Sequence, residues 1–153
     1  MKILIKLLIF FFIFTNISSA ELIKANSNLK PFEVLMIQLN SLKNNNDPYK
    51  DAGIEQTWEF AHPVNKAATG PLKKFKQMIY SDSYKILISH ENNETTILKE
   101  TSNKFVFKVF VLSKDKKRYY YIWQIEKVMV EGKFNNCWMT TAVSDPIYLG
   151  EMI

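Results

Sequence analysis

The chain has 153 residues, 47% of them hydrophobic and 14% aromatic, and a formal charge of +5. That length suits one domain able to bury an apolar core without cross-links. A lone cysteine, Cys137, excludes an intramolecular disulfide, four glycines leave little material for a phosphate-cradling loop, and the modest charge argues against nucleic acid as a partner.

Lys2 and Lys6, the apolar run from Leu7 to Phe14 and the small residues Ser18-Ser19-Ala20 have the order of a secretory signal peptide. Cleavage is expected after Ala20. Thr15, Asn16, Ser18 and Ser19 break the run before the roughly 20 apolar residues that a membrane span needs. No cysteine adjoins Ala20, so lipid attachment through a cleavage-site thiol is not expected either. With Lys2 and Lys6 removed, 18 basic residues face 15 acidic ones, a formal charge of +3. The expected product is a periplasmic or secreted protein without a stable membrane span.

Residues 21–30 are polar and lack periodicity, and are expected to form a flexible leader before a single domain over 31–145. Pro31 suits a first helical turn, where its missing N–H costs nothing. Phe32, Leu35, Met36, Leu39 and Leu42 then recur at spacings of three and four, which predicts a helix over 31–44 ended by Asn44-Asn45-Asn46-Asp47-Pro48. Asp51 is placed to cap a second short helix carrying Ile54, Trp58 and Ala61, closed by His62-Pro63. After Thr69-Gly70-Pro71, the spacing of Leu72, Phe75 and Ile79 predicts a third helix.

Beyond Ser81 the period shifts to two, and β-branched and aromatic residues dominate. Strands are expected near 84–90, 94–100, 103–113, 117–130 and 137–144, with residues 146–153 a C-terminal tail. Helices first and hairpin-linked strands afterwards give an α+β fold: N-terminal helices packed on a curved antiparallel sheet. The strand at 103–113 and the start of 117–130 are apolar on both faces, so they are expected in the centre of the sheet with cover on each side. The helices supply one cover, and the partner subunit of a homodimer is a candidate for the other.

Four local patterns resemble the family called domain of unknown function 4864. They are Gln38-Leu39-x-x-Leu42 leading into Asn46-Asp47-Pro48-Tyr49; Gly53-Ile54 with Trp58-Glu59-Phe60-Ala61-His62-Pro63-Val64-Asn65; Thr69-Gly70-Pro71 with Phe75, Met78-Ile79 and Tyr84; and Cys137-Trp138-x-Thr140. The resemblance spans about residues 31–145. It implies a cone-shaped α+β fold similar to nuclear transport factor 2 and brings no established activity, cofactor or catalytic residue. Many members carry Ser-Pro where this chain has His62-Pro63.

The residues themselves give little chemistry. His62 and His90 lack metal-ligand spacing, and a metal would need distant carboxylates such as Glu59 or Glu91, so neither a metal nor a cofactor is expected. No nucleophile elbow or Ser-His-Asp spacing is present. The lysines at 73, 74 and 76 and at 114, 116 and 117 read as solvated faces, the latter on a hairpin edge guarded against strand pairing. Cys137 reads as a small buried hydrophobe. Trp58, Tyr84, Tyr121, Trp123 and Trp138 sit on elements that should converge, where they either fill the core or line a pocket at the open end of the cone. Three functions follow as expectations: a non-catalytic envelope module binding a small apolar ligand or an envelope protein, an isomerase or hydrolase using the same cavity, or a structural dimer.

Overall fold

The computed structural model describes residues 21–151, so the expected signal peptide lies outside the described residues. Four helices, α1 (Pro31–Lys43), α2 (Ala52–Glu59), α3 (Pro63–Thr69) and α4 (Leu72–Ile79), precede five strands, β1 (Asn92–Glu100), β2 (Lys104–Leu112), β3 (Lys117–Lys127), β4 (Trp138–Val143) and β5 (Ile147–Glu151). This is the α+β order expected, with the helices packed on an antiparallel sheet. Among the described residues no helix is long and apolar enough to cross a membrane.

The sheet order is β1-β2-β3-β4, and β5 also pairs with β3. β4 and β5 thus share one edge of β3, β4 along Trp123 to Lys127 and β5 along Lys117 to Tyr120. At the break between them, Ser144 Oγ accepts the Ile122 N–H (2.9 Å) and the Ser144 N–H donates to the Ile122 carbonyl (2.9 Å). Register shifts at Ile97/Lys99, Gln124/Ile125 and Arg118/Tyr119 bend the strands that carry them.

Alternation decides which face meets the helices. Phe107, Val109 and Val111 of β2 and Tyr121, Trp123 and Ile125 of β3 are buried, and they form one core with Val34, Leu35, Leu39 and Leu42 of α1. Their neighbours Val106, Lys108, Phe110, Tyr120 and Ile122 point to the other face and stay half-buried. A smaller cluster of Val128, Cys137 and Met139 closes the end beside Phe134 and Ala25. Burial raises the Cys137 thiol pKa, as befits an inert apolar filler.

Several elements depart from the sequence expectation, each for a local reason. Residues 21–30 form no helix or strand, yet they are docked: Gln56 Nε2 donates to the Ile23 carbonyl (2.8 Å), its Oε1 accepts the Ile23 N–H (2.7 Å), and Lys24 pairs with Glu59 (3.1 Å). Residues 84–90 are a 3-10 helix (Lys85–Leu87) flanked by turns, not a strand, because the Ser89 N–H bonds the Leu42 carbonyl at the end of α1 and no strand neighbours it. The expected tail contains β5. The extra helix, α3, starts where His62-Pro63 read only as a stop: His62 Nδ1 accepts the Val64 N–H (3.2 Å) and Pro63 opens the first turn.

Asp51 occupies the position before α2 with φ of 66°, but its side chain caps nothing. Asn45 does that work, its Oδ1 accepting the Ile54 N–H (3.0 Å) and its carbonyl the Gly53 N–H (2.9 Å). The Asn run that ends α1 thereby starts α2. The Asp51 carboxylate instead takes the Tyr80 hydroxyl and lies 3.5 Å from Lys76, which also pairs with Glu55 at 2.8 Å, tying α2 to α4.

Candidate functional site

Between the helices and the β3–β4 end of the sheet lies a cavity of about 280 Å3. Its deep wall is built of Leu42, Leu87, Trp123, Thr140 and Gln38, all at most 2% exposed. Phe75, Met78 and Ile79 of α4 form one side, Tyr84 and Val143 another. The rim is α3, whose Val64, Asn65 and Ala68 face the space. No residue of α3 is buried, and Val64 is 68% exposed, so the cavity runs from a buried floor to solvent at this helix.

The floor is held by a chain of hydrogen bonds whose direction is fixed at both ends. The Trp123 indole can only donate, and it donates to Thr140 Oγ1 at 2.9 Å. The Thr57 carbonyl can only accept, and it takes Gln38 Nε2 at 3.1 Å. The Gln38 carboxamide oxygen must therefore face Thr140, whose hydroxyl donates to it at 2.6 Å. Each nitrogen and oxygen in this run has at least one partner, as buried polar groups generally do, while Gln38 Nε2 uses one of its two hydrogens.

Thr140 also joins the two layers through its backbone. Its N–H donates to the Phe60 carbonyl, and its own carbonyl accepts the His62 N–H, both at 2.8 Å, forming an isolated parallel bridge between Ala61 and Thr140. The Asn65 side-chain amide reaches the same carbonyl at 3.1 Å. The rim helix is thus fixed to the sheet through the residue that organises the floor.

Electrostatically the cavity is neutral. Among the described residues Tyr84 is the one ionisable member of its lining, and burial, followed by Asp145, raises the phenol pKa, so it is uncharged at neutral pH. Its hydroxyl donates to the Val143 carbonyl at 3.0 Å. His62 stands outside the lining with its pKa lowered by desolvation, and His90 is buried elsewhere, its Nδ1 2.8 Å from the Leu87 carbonyl. Among the described residues no group of three or more His, Cys, Asp or Glu side chains is arranged to hold a metal ion.

Of the five aromatics singled out from the sequence, the structure brings Tyr84 and Trp123 to the cavity wall. Tyr121 stacks behind Tyr84, ring centroids 6.4 Å apart, with its hydroxyl donating to the Ser83 carbonyl at 2.8 Å. Trp58 packs against Phe75 at 4.9 Å, carries Lys66 over its ring at 5.4 Å and is not part of the lining. Trp138 meets Phe105 edge-on at 5.3 Å and does not line the space.

Sequence reasoning missed Gln38, Asn65, Met78 and Thr140. A signal existed for Gln38, a polar side chain at a buried position of the α1 stripe between Leu35 and Leu42. A second concavity, about 470 Å3, sits at the other end of the sheet between Glu94, Phe110, Arg118 and Leu149, where an acid and a base flank an apolar strip. Compared with known proteins, the chain matches no family model, no curated protein and no solved structure.

Proposed function

We propose that this protein is a non-catalytic binding module of the cell envelope that holds a small, largely apolar molecule in the cavity under α3. The observation that carries the reading is the composition of the wall: eighteen of the described residues line the space, and among them Tyr84 is the only ionisable one. A general acid or base needs a titratable group within hydrogen-bond reach of substrate with a pKa near the working pH. Tyr84 is shifted away from that range, and the polar atoms of the floor are engaged with one another. That favours binding over the isomerase or hydrolase alternative.

Size follows from volume. An engineered apolar cavity of about 150 Å3 accommodates benzene, so by proportion this one suits about a dozen non-hydrogen atoms. The envelope location is part of the proposal and is supported by the signal-like order of residues 1–20. The helices-then-sheet architecture is compatible with the cone implied by the resemblance to domain of unknown function 4864.

Calorimetric titration with an alkylbenzene series tests the reading. Affinity should rise with chain length up to about a dozen non-hydrogen atoms, as each added CH2 buries apolar surface, then fall as the ligand outgrows the space. Absence of binding across the series would count against a ligand cavity.

A second reading, a homodimer through the helix-free face of the sheet, is favoured by one observation. Phe110 and Tyr120 pair there with centroids 6.1 Å apart, and Lys108 lies over the Tyr120 ring at 4.2 Å. Sedimentation equilibrium at high concentration tests it, a sharp monomer being the contrary result.

A further inference from the structure

Resting on the cavity reading above, we infer that the ligand is a neutral molecule with one hydrogen-bond acceptor, of carbonyl or ether type, carried on an apolar body and read by the Gln38 carboxamide.

The hydroxyl and indole hydrogens of the lining all have protein acceptors. Hydroxyl groups donate once each. Thr57 donates to the Gly53 carbonyl (2.8 Å), Tyr84 to the Val143 carbonyl (3.0 Å), Thr69 to the Asn65 carbonyl (2.8 Å), Thr140 to Gln38 (2.6 Å) and Thr141 to the Glu126 carboxylate (3.3 Å). The Trp123 N–H goes to Thr140. Carboxamides donate twice. Among the described residues Gln38 Nε2 makes one hydrogen bond, to Thr57, which leaves its second hydrogen uncommitted on a residue 1% exposed.

Gln38 is the floor's remaining strong donor, and its orientation is fixed because the oxygen is held by Thr140. A ligand acceptor placed against that second hydrogen gains the hydrogen bond that water supplies in the open. Asn65, with one amide bond to the Thr140 carbonyl, offers the corresponding donor at the solvent rim. Charge is disfavoured at the floor. Among the described residues the lining holds no Lys, Arg or His to offset a carboxylate and no acid to offset an amine, and desolvating an uncompensated charge costs far more than one hydrogen bond returns.

The test compares three probes on one skeleton: n-butylbenzene, butyrophenone (a ketone carbonyl replacing one CH2) and 4-phenylbutanoate. Affinities are measured on the wild-type protein and on Gln38→Met. The ketone-to-hydrocarbon affinity ratio should fall about three- to tenfold in the variant, the worth of one net hydrogen bond. In wild-type protein labelled with 15N, the ketone should also move the Gln38 carboxamide proton downfield and the hydrocarbon should not, a readout that needs no variant to fold. The carboxylate should bind more weakly than either. An unchanged ratio with an unmoved carboxamide resonance, or tighter binding of the carboxylate, would overturn the acceptor inference while leaving the cavity reading intact. If neither the ketone nor the hydrocarbon binds, both fall.

Discussion

Thr140 Oγ1 lies 2.6 Å from the side-chain oxygen of Gln38, joining the first helix to the fourth strand across 102 residues of sequence. Both groups are buried, and Thr140 stands between an indole that must donate and a carboxamide oxygen that must accept. Thr140→Val keeps the shape and leaves both neighbours unpaired, and should cost about 1–3 kcal/mol of unfolding free energy. Adding Gln38→Leu should cost less than the sum of the two single changes, because the orphaned oxygen disappears. Urea denaturation of the four proteins measures this coupling.

Trp123 and Trp138 should separate sharply on truncation. Trp123 is 1% exposed and in the main core, so Trp123→Ala should cost about 3–5 kcal/mol. Trp138 is half-buried against Phe105 with Lys127 over its ring at 4.9 Å, and Trp138→Ala should cost less. Equal losses in chemical denaturation would show that the two contribute alike to packing.

Gly53 marks a close approach of α1 and α2. A Cβ there would sit 2.0 Å from the Ser41 carbonyl oxygen and 2.8 Å from the Asn45 Cα, both backbone atoms that cannot move aside cheaply. Gly53→Ala should therefore lower the thermal midpoint by several degrees or more despite the better helix propensity of alanine. A raised midpoint would mean that the helices are free to separate.

Stability should fall as the solution is acidified below about pH 6.5. His90 donates from Nδ1 to the Leu87 carbonyl and accepts at Nε2 from Asn93 (2.8 Å), an arrangement only the neutral ring can make. His62 likewise needs an unprotonated Nδ1 to cap α3. Desolvation lowers both pKa values below the unfolded one, so the unfolded chain takes up protons first and the stabilisation present above pH 6.5 is lost as pH falls toward the folded values. Thermal midpoints from pH 7.5 to 5 measure the slope, and His90→Gln should flatten it. The Asp51 and Glu55 carboxylates, whose pKa values are lowered by hydrogen bonds from Tyr80 and Lys76 respectively, act in a separate window below the usual carboxylate range.

At the rim, Val64→Asp should leave stability within about 0.5 kcal/mol, since the side chain is mostly in water. It should nonetheless weaken binding of a neutral apolar probe by placing a charge at the mouth. Unchanged probe affinity would remove α3 from the entry route.

What the sequence made legible were the elements whose periodicity reports burial directly. The α1 stripe and the alternation of Phe107, Val109 and Val111 appear in the structure as the faces of one core. Where an element owes its form to partners distant in sequence, the pattern misled. The apolar run Ile86-Leu87-Ile88 looks like a strand but has no neighbouring strand to pair with, and α3 has no buried face to announce it. The cavity was half legible for the same reason. Aromatic residues declare apolar bulk, which led to Tyr84 and Trp123, whereas the placement of Gln38 against Thr140 depends on a packing of helix on sheet that no local spacing encodes.

Methyl NMR of the wild-type protein titrated with butyrophenone bears most directly on the claim that the space under α3 is a binding site. The account predicts saturable shifts at the methyl groups of Leu42, Met78, Ala68 and Val143, which line the cavity, with Val106 and Ile122 on the opposite sheet face unmoved. Shifts confined to that opposite face or to Leu112 and Leu149 in the second concavity, or no saturable shifts at all, would contradict it.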